Sequence, residues 1–250
     1  MAEKTIQESF VLPSKGKIYG DELVNPNFTL RSMTTADEMR RLAKTDTPYK
    51  AMADLIESCM VEKPGISVYD MCLGDYQYCL HKLRTVTYGP EYKMALQCPN
   101  CGSTVDMTTD LDSLEVLEYS DEVESLKYVD LPMSGKRVEL SLQTPRMLDR
   151  IEAKVKEIER KRKVRDNSLT ALVTLEALIV SVDGMQYNPV ELEAFINGLP
   201  MKDTQTLIQA SRTYNASIGL DTTLIATCPE CGYEVLTTFR FTSEFFGPTL

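Results

Sequence analysis

Apolar residues recur at helical spacing along much of the chain and give way to short alternating runs between. Ala51, Leu55, Ile56 and Cys59 predict a helix over 48–60, broken by Lys63-Pro64-Gly65. Met71, Cys72, Tyr76, Cys79, Leu80 and Leu83 line one side of a longer pattern over 68–87, in which Gly74 weakens the first turns. A shorter helix is expected over 35–44. Thr144 and Pro145 read as an N-cap and a first helical position, opening a helix over 145–165 with Ile151, Val155 and Ile158 on one seam. Asp166-Asn167-Ser168 offers the cap of a helix over 169–182 that ends near Gly184. Two more are expected from Asn188 or Pro189 to Asn197 and over 203–215. Residues 8–20 and 26–32 read as a strand pair around a Lys-Gly turn, and 126–131 and 137–142 as a hairpin around Ser134-Gly135. Short strands are expected at 92–97, 103–109, 221–227 and 233–242. The fold class is α+β, helix-rich with short antiparallel hairpins.

Two motifs stand out from this pattern. Cys98-Pro99-Asn100-Cys101-Gly102 and Cys228-Pro229-Glu230-Cys231-Gly232 share the frame C-P-x-C-G. The two-residue gap lets both thiolates reach one metal about 2.3 Å away, and the glycine permits the tight turn that aims backbone N–H groups at sulfur. Two thiolates cannot close a tetrahedron, so Cys98, Cys101, Cys228 and Cys231 are expected to share one structural zinc in a zinc-ribbon-like site. Redox dithiols and a disulfide compete with this reading. The residues after each knuckle, Ser103-Thr104-Val105 and Tyr233-Glu234-Val235, are rich in β-formers, whereas a redox thiol sits at a helix N-terminus. An N-terminus without an apolar signal core argues against a disulfide-bonded secreted protein. Cys72, Cys79 and His81 invite a second metal site, but the sole histidine falls on another helical face. Cys59, Cys72 and Cys79 are therefore read as small buried hydrophobes, and His81 as structural or surface.

The knuckles are part of a wider self-similarity. Leu12-Pro13-Ser14-Lys15-Gly16-Lys17 is echoed 119 residues later by Leu131-Pro132-Met133-Ser134-Gly135-Lys136. Each leads through a β-like run to a polar helix start and, further on, to C-P-x-C-G, the second copy 130 residues after the first. An internal duplication is expected, with 1–110 and 111–250 as halves paired around a pseudo-twofold axis and tied by zinc into one cooperative unit.

Charge narrows the partners. With 27 Lys and Arg against 37 Asp and Glu, the formal charge is −10, which repels nucleic-acid phosphates unless a basic patch gathers. Arg150, Lys154, Lys156, Arg160, Lys161, Arg162, Lys163 and Arg165 form such a run, but Glu152, Glu157 and Glu159 interleave it and stacking aromatics do not. A solvated or partner-docking helix is favoured over a nucleic-acid site. The longest aliphatic run, 177–180, is far short of a membrane span, so a soluble intracellular protein is expected. There is no phosphate loop, nucleophile elbow or H-E-x-x-H, and four cysteines on zinc leave no open coordination position. No catalytic or cofactor-binding residue is nominated, and a non-enzyme is expected. A zinc-ribbon nucleic-acid-binding or transcription-associated factor is the alternative, and a thiol oxidoreductase a third.

Further blocks bear on identity: Leu12-Pro13-Ser14-Lys15-Gly16-Lys17-Ile18-Tyr19, Phe28-Thr29-Leu30-Arg31-Ser32-Met33-Thr34-Thr35, the stretch 66–84, and Phe245-Phe246-Gly247-Pro248 after the last knuckle. Together with the knuckles they resemble the baseplate hub proteins of T-even-like contractile-tailed bacteriophages, over nearly the whole chain. The resemblance implies a non-enzymatic tail-baseplate or assembly subunit that contacts other phage tail proteins. It would be made in the host cytoplasm, is compatible with a homo-oligomer, and could remain in the virion. Within the segment 242–250, Phe245 and Phe246 either form a docking peptide or cap the protein's own core.

Overall fold

Phe10 and Phe28 face each other across strands β1 (Gln7–Val11) and β2 (Asn27–Arg31), their rings stacked 6.3 Å apart on the core side. This computed structural model describes residues 6–23, 25–162, 167–238, 241 and 243–246. The first strand stops at Val11 instead of running to residue 20. Lys15 and Gly16 adopt φ of +54° and +73°, and a 3-10 segment, Lys17–Glu22, follows the turn. Helix α1 (Thr35–Arg41) starts in a capping box of Thr34 and Asp37, and α2 (Pro48–Cys59) ends where expected.

The helix expected from residue 68 begins five residues later. Val68–Asp70 is a separate 3-10 turn, and Cys72 is the N-cap of α3 (Leu73–Tyr88), its sulfur accepting the Asp75 N–H at 3.5 Å. Cys72 consequently packs in a different core cluster from Cys79 and does not share a helical face with it.

The chain continues through the hairpin of β3 (Glu91–Gln97) and β4 (Thr104–Asp110), then β5 (Val116–Leu117) and α4 (Asp121–Ser125), which the hydrophobic pattern did not announce. Next come β6 (Tyr128–Asp130), β7 (Arg137–Leu140), α5 (Pro145–Arg162) and α6 (Asn167–Leu178). The helix expected over 169–182 is corrected at its end: Ile179–Val182 is a strand, β8, paired antiparallel with β7. Ile179, Val180 and Val182 are β-branched, and Leu140 and Val138 offer them a ladder. The chain closes with α7 (Pro189–Gly198), α8 (Met201–Ala216), β9 (Gly219–Leu220), β10 (Thr223–Thr227), β11 (Glu234–Thr238) and a 3-10 turn, Ser243–Phe246. The expected helix end at 163–165, the cap residue Asp166, and positions 239, 240, 242 and 247–250 lie outside the described residues.

Several contacts occur twice. Asp75, third residue of the 16-residue helix α3, accepts the N–H of Ser14 at 2.9 Å. Asp203, third residue of the 16-residue α8, accepts the N–H groups of Met133 and Ser134 at 2.8 and 2.9 Å. The Met33 N–H meets Thr87 Oγ1 at 3.0 Å, and the Gln143 N–H meets Asn215 Oδ1 at 2.6 Å. Met60 bridges Leu30 just as Ile179 pairs with Leu140, each immediately after a 12-residue helix, α2 or α6.

The two series are packed closely together. Asp149 accepts the N–H groups of Tyr49 and Lys50 at the start of α2, and the Tyr69 hydroxyl at 2.9 Å. Arg146 forms a bidentate pair with Asp70 at 2.5 and 2.7 Å. Gly74 lies directly against the backbone of Ile218 and Gly219, an approach that any side chain would obstruct.

Candidate metal centre

Each knuckle is built by the same local bonds. Gly102 and Gly232 adopt φ of +75° and +71°, and their N–H groups reach the carbonyls of Cys98 and Cys228, both at 2.9 Å. The Cys98 and Cys228 N–H groups in turn reach the carbonyls of Ser103 and Tyr233, again at 2.9 Å. A strand follows each knuckle, β4 or β11, not the helix that a redox dithiol uses to acidify its thiol.

The knuckles meet across the chain. Cys98 Sγ lies 3.6 Å from Cys231 Sγ, and Cys101 Sγ lies 3.7 Å from Cys228 Sγ. Exchanging first and second cysteines between knuckles converts one pair into the other, so the sulfurs obey a local twofold relation. All four lie within 4.8 Å of one another. A tetrahedron of sulfurs around an ion about 2.3 Å away has edges of about 3.8 Å, so the cluster could hold a metal ion.

The surroundings drive the thiols in different directions. Burial pushes the Cys98 thiol up to about 11, while the Ser103 hydroxyl holds Cys101 down and brings Cys228 to about 6. Ser103 Oγ stands 3.0 Å from Cys101 Sγ and 3.2 Å from Cys228 Sγ, touching one sulfur of each knuckle. The sequence pattern gave it no role beyond strand formation. Its position next to Gly102 was the available signal. The surrounding core is small: besides cysteines its buried members are Val105, Ala226 and Val235. Two buried valines contribute about 3 kcal/mol in all, little for holding two hairpins together.

The remaining candidates fall elsewhere. Cys59, Cys72 and Cys79 are buried among core residues. Burial pushes the thiols of Cys72 and Cys79 far up. His81 is buried, with Nε2 3.0 Å from the Leu111 carbonyl, which makes it structural. On α5, Lys154 pairs with Glu176, Lys156 with Glu152 and Lys161 with Glu157, each at 2.6 Å, as a solvated salt-bridged helix would. The side chains of Arg162, Lys163 and Arg165 lie outside the described residues. Phe245 and Phe246 are buried at 0 % and 1 % exposure, which overturns their use as a free docking peptide. They cap this protein's own core, and Arg84 Nε donates to the Phe245 carbonyl at 3.1 Å.

Two interlocking C-P-x-C-G knuckles on an α+β body define a protein with a closed four-sulfur centre that could hold a metal ion. Residues 5–247 match the family described as T4 bacteriophage base plate protein, and the chain belongs to that family. Neither a curated protein nor a solved structure matches it. Membership implies a structural role in the baseplate of a phage tail, in contact with other tail proteins. Among the described residues no helix is long and apolar enough to cross a membrane.

Proposed function

We propose that the protein is a hub subunit of a contractile-tail baseplate, or a factor that assembles the hub, and that one structural zinc holds it together. Cys98, Cys101, Cys228 and Cys231 are the ligands, and the ion ties 1–110 and 111–250 into a single cooperative unit. The cross-pairing of sulfurs at 3.6 and 3.7 Å is the observation that carries this reading. Each pair takes one sulfur from each knuckle, so neither knuckle supplies the tetrahedron alone. An ion so held contributes on the order of 10 kcal/mol to folding, well above what the small apolar core beside it offers. Four thiolates fill the shell, so the metal has no position for substrate and the protein works by contact, not catalysis. The charged outer face of α5 suits docking to another protein. The chain is made in the host cytoplasm and carried into the tail.

The test is a tagged chain expressed during phage infection. Co-sedimentation with baseplate intermediates, and loss of that co-sedimentation when Cys98 and Cys228 are both replaced by Ser, is the expected result. A chain that sediments with polymerase or ribosomal components instead would overturn the assignment.

A further inference from the structure

Ser103 breaks the twofold relation of the four sulfurs. Its hydroxyl lies on one edge of the cluster, 3.0 Å from Cys101 Sγ and 3.2 Å from Cys228 Sγ, which are themselves 3.7 Å apart. The opposite edge joins Cys98 and Cys231 at 3.6 Å. The residue that stands beside that edge as Ser103 stands beside the first is Tyr233, 130 positions later. Its carbonyl and that of Ser103 play the same part, each taking the N–H of the first cysteine of its own knuckle at 2.9 Å. The side chains do not. Tyr233 is 46 % exposed, and among the described residues its hydroxyl meets neither sulfur. The turns that carry the two edges are alike, and a hydroxyl at the sulfurs is what tells them apart.

The thiolate is both the form that ligates a metal and the form that attacks an electrophile. It can only accept hydrogen bonds, and a serine hydroxyl has one hydrogen to give, so Ser103 donates to the sulfurs of its own edge and draws charge from them. A sulfur engaged in this way is oriented and loses nucleophilicity. Burial covers Cys98 and Cys228, whereas Cys101 and Cys231 are both exposed. Of the two exposed sulfurs, Cys101 has the Ser103 hydroxyl. Cys231 has only Cys98 Sγ within hydrogen-bonding distance among the described residues, and a ligated Cys98 has no hydrogen to give.

We propose that Ser103 is a positioning residue of the metal centre, shielding the Cys101–Cys228 edge and leaving Cys231 as the site where soft electrophiles modify and open the shell. With an alkyl halide, the Cys231 thiolate supplies the electron pair of a new S–C bond and the halide leaves with the pair of the bond that breaks. The thioether that results has no negative charge and is the weaker ligand, so the shell opens at that corner first. The inference rests on four thiolates holding one ion, and cobalt(II) in place of zinc separates a failure of that reading from a failure of this one.

The sample is the full chain loaded with cobalt(II), whose charge-transfer absorption reports sulfur ligation. The probe is iodoacetamide below one equivalent, with the labelled cysteines located by mass spectrometry. Cys231 should be labelled first, at least threefold faster than Cys101. Ser103→Ala should bring Cys101 up to the rate of Cys231 while Cys231 stays within twofold of its own. The same variant should move the absorption to longer wavelength, because sulfur without its hydrogen bond gives up an electron more easily. Ser103→Thr keeps the hydroxyl and should restore both readouts. Tyr233→Ser places a hydroxyl beside the bare edge and should slow Cys231 at least threefold, a transfer that loss of packing alone would not produce. A four-sulfur cobalt site labelled first or equally at Cys101, or with rates and absorption unchanged in Ser103→Ala, would overturn this inference and leave the metal reading standing. A wild-type chain that takes up no cobalt, or a cobalt shell with an oxygen ligand that disappears in Ser103→Ala, would overturn both.

Discussion

Asp75 and Asp203 occupy equivalent positions, each receiving a Leu-Pro turn at the start of a 16-residue helix, yet their carboxyls are driven in opposite directions. Burial raises Asp75 above the usual carboxylate range, in spite of hydrogen bonds from Ser14 and Tyr19. Burial also opposes ionisation of Asp203, but the N–H groups of Met133 and Ser134 outweigh it and its carboxyl is lowered. Stability contributed by Asp75 is full below its unfolded value and is lost as pH rises through its folded one. For Asp203 it is present above the unfolded value and lost as pH falls through the folded one. At pH 7, Asp203→Asn should therefore lower the urea midpoint more than Asp75→Asn. The Asp203→Asn deficit should shrink toward pH 3. Equal midpoints for the two variants at pH 7 would contradict this.

His81 gives a second pH signature. Burial brings it down to about 4, and its Nε2 faces the Leu111 carbonyl, so the neutral form with hydrogen on Nε2 is the folded one. Nδ1 is buried and has no hydrogen-bond partner among the described residues. The folded value lies below the unfolded one, so the stability is present above about 6.5 and lost as pH falls toward 4. Its size is on the order of 3 kcal/mol. His81→Gln should flatten the decline between pH 6.5 and 4.5 measured by urea denaturation. An unchanged slope would assign that decline to other groups.

Gly74 is where the two series of elements touch backbone to backbone. A Cβ there would lie 2.2 Å from the Ile218 carbonyl oxygen. Gly74→Ala should cost about 1–3 kcal/mol, because neither backbone can withdraw without moving a helix. Calorimetry should show a clear fall in Tm, whereas Gly198→Ala, with open space around it, should change Tm little. Similar effects at both positions would mean that the close approach is not rigid.

Much of this architecture was legible in local chemistry. The knuckles were, because C-P-x-C-G specifies its own turn, and the two copies differ only at Asn100 and Glu230. The capping of α5 by Thr144 and Pro145 was too, since caps act within one turn. The end of α6 was not: Leu178, Ile179 and Val180 continue an apolar run, and only pairing with β7 makes the last part a strand. The start of α3 was hidden because Cys72 looks like one more apolar position, yet its extended backbone makes it the cap. The fate of Phe245 and Phe246 depended on Arg84, which lies 161 residues from Phe245 and on a helix face that periodicity alone reads as apolar.

The central claim is that one zinc ion joins the two knuckles. Native mass spectrometry of the purified chain, with zinc-edge X-ray absorption on the same sample, addresses it directly. The expected result is one zinc per chain with four sulfurs at about 2.3 Å, and loss of the ion when either Cys98 or Cys228 is changed to Ser. A folded chain without metal, or a zinc shell containing nitrogen or oxygen ligands, would contradict it.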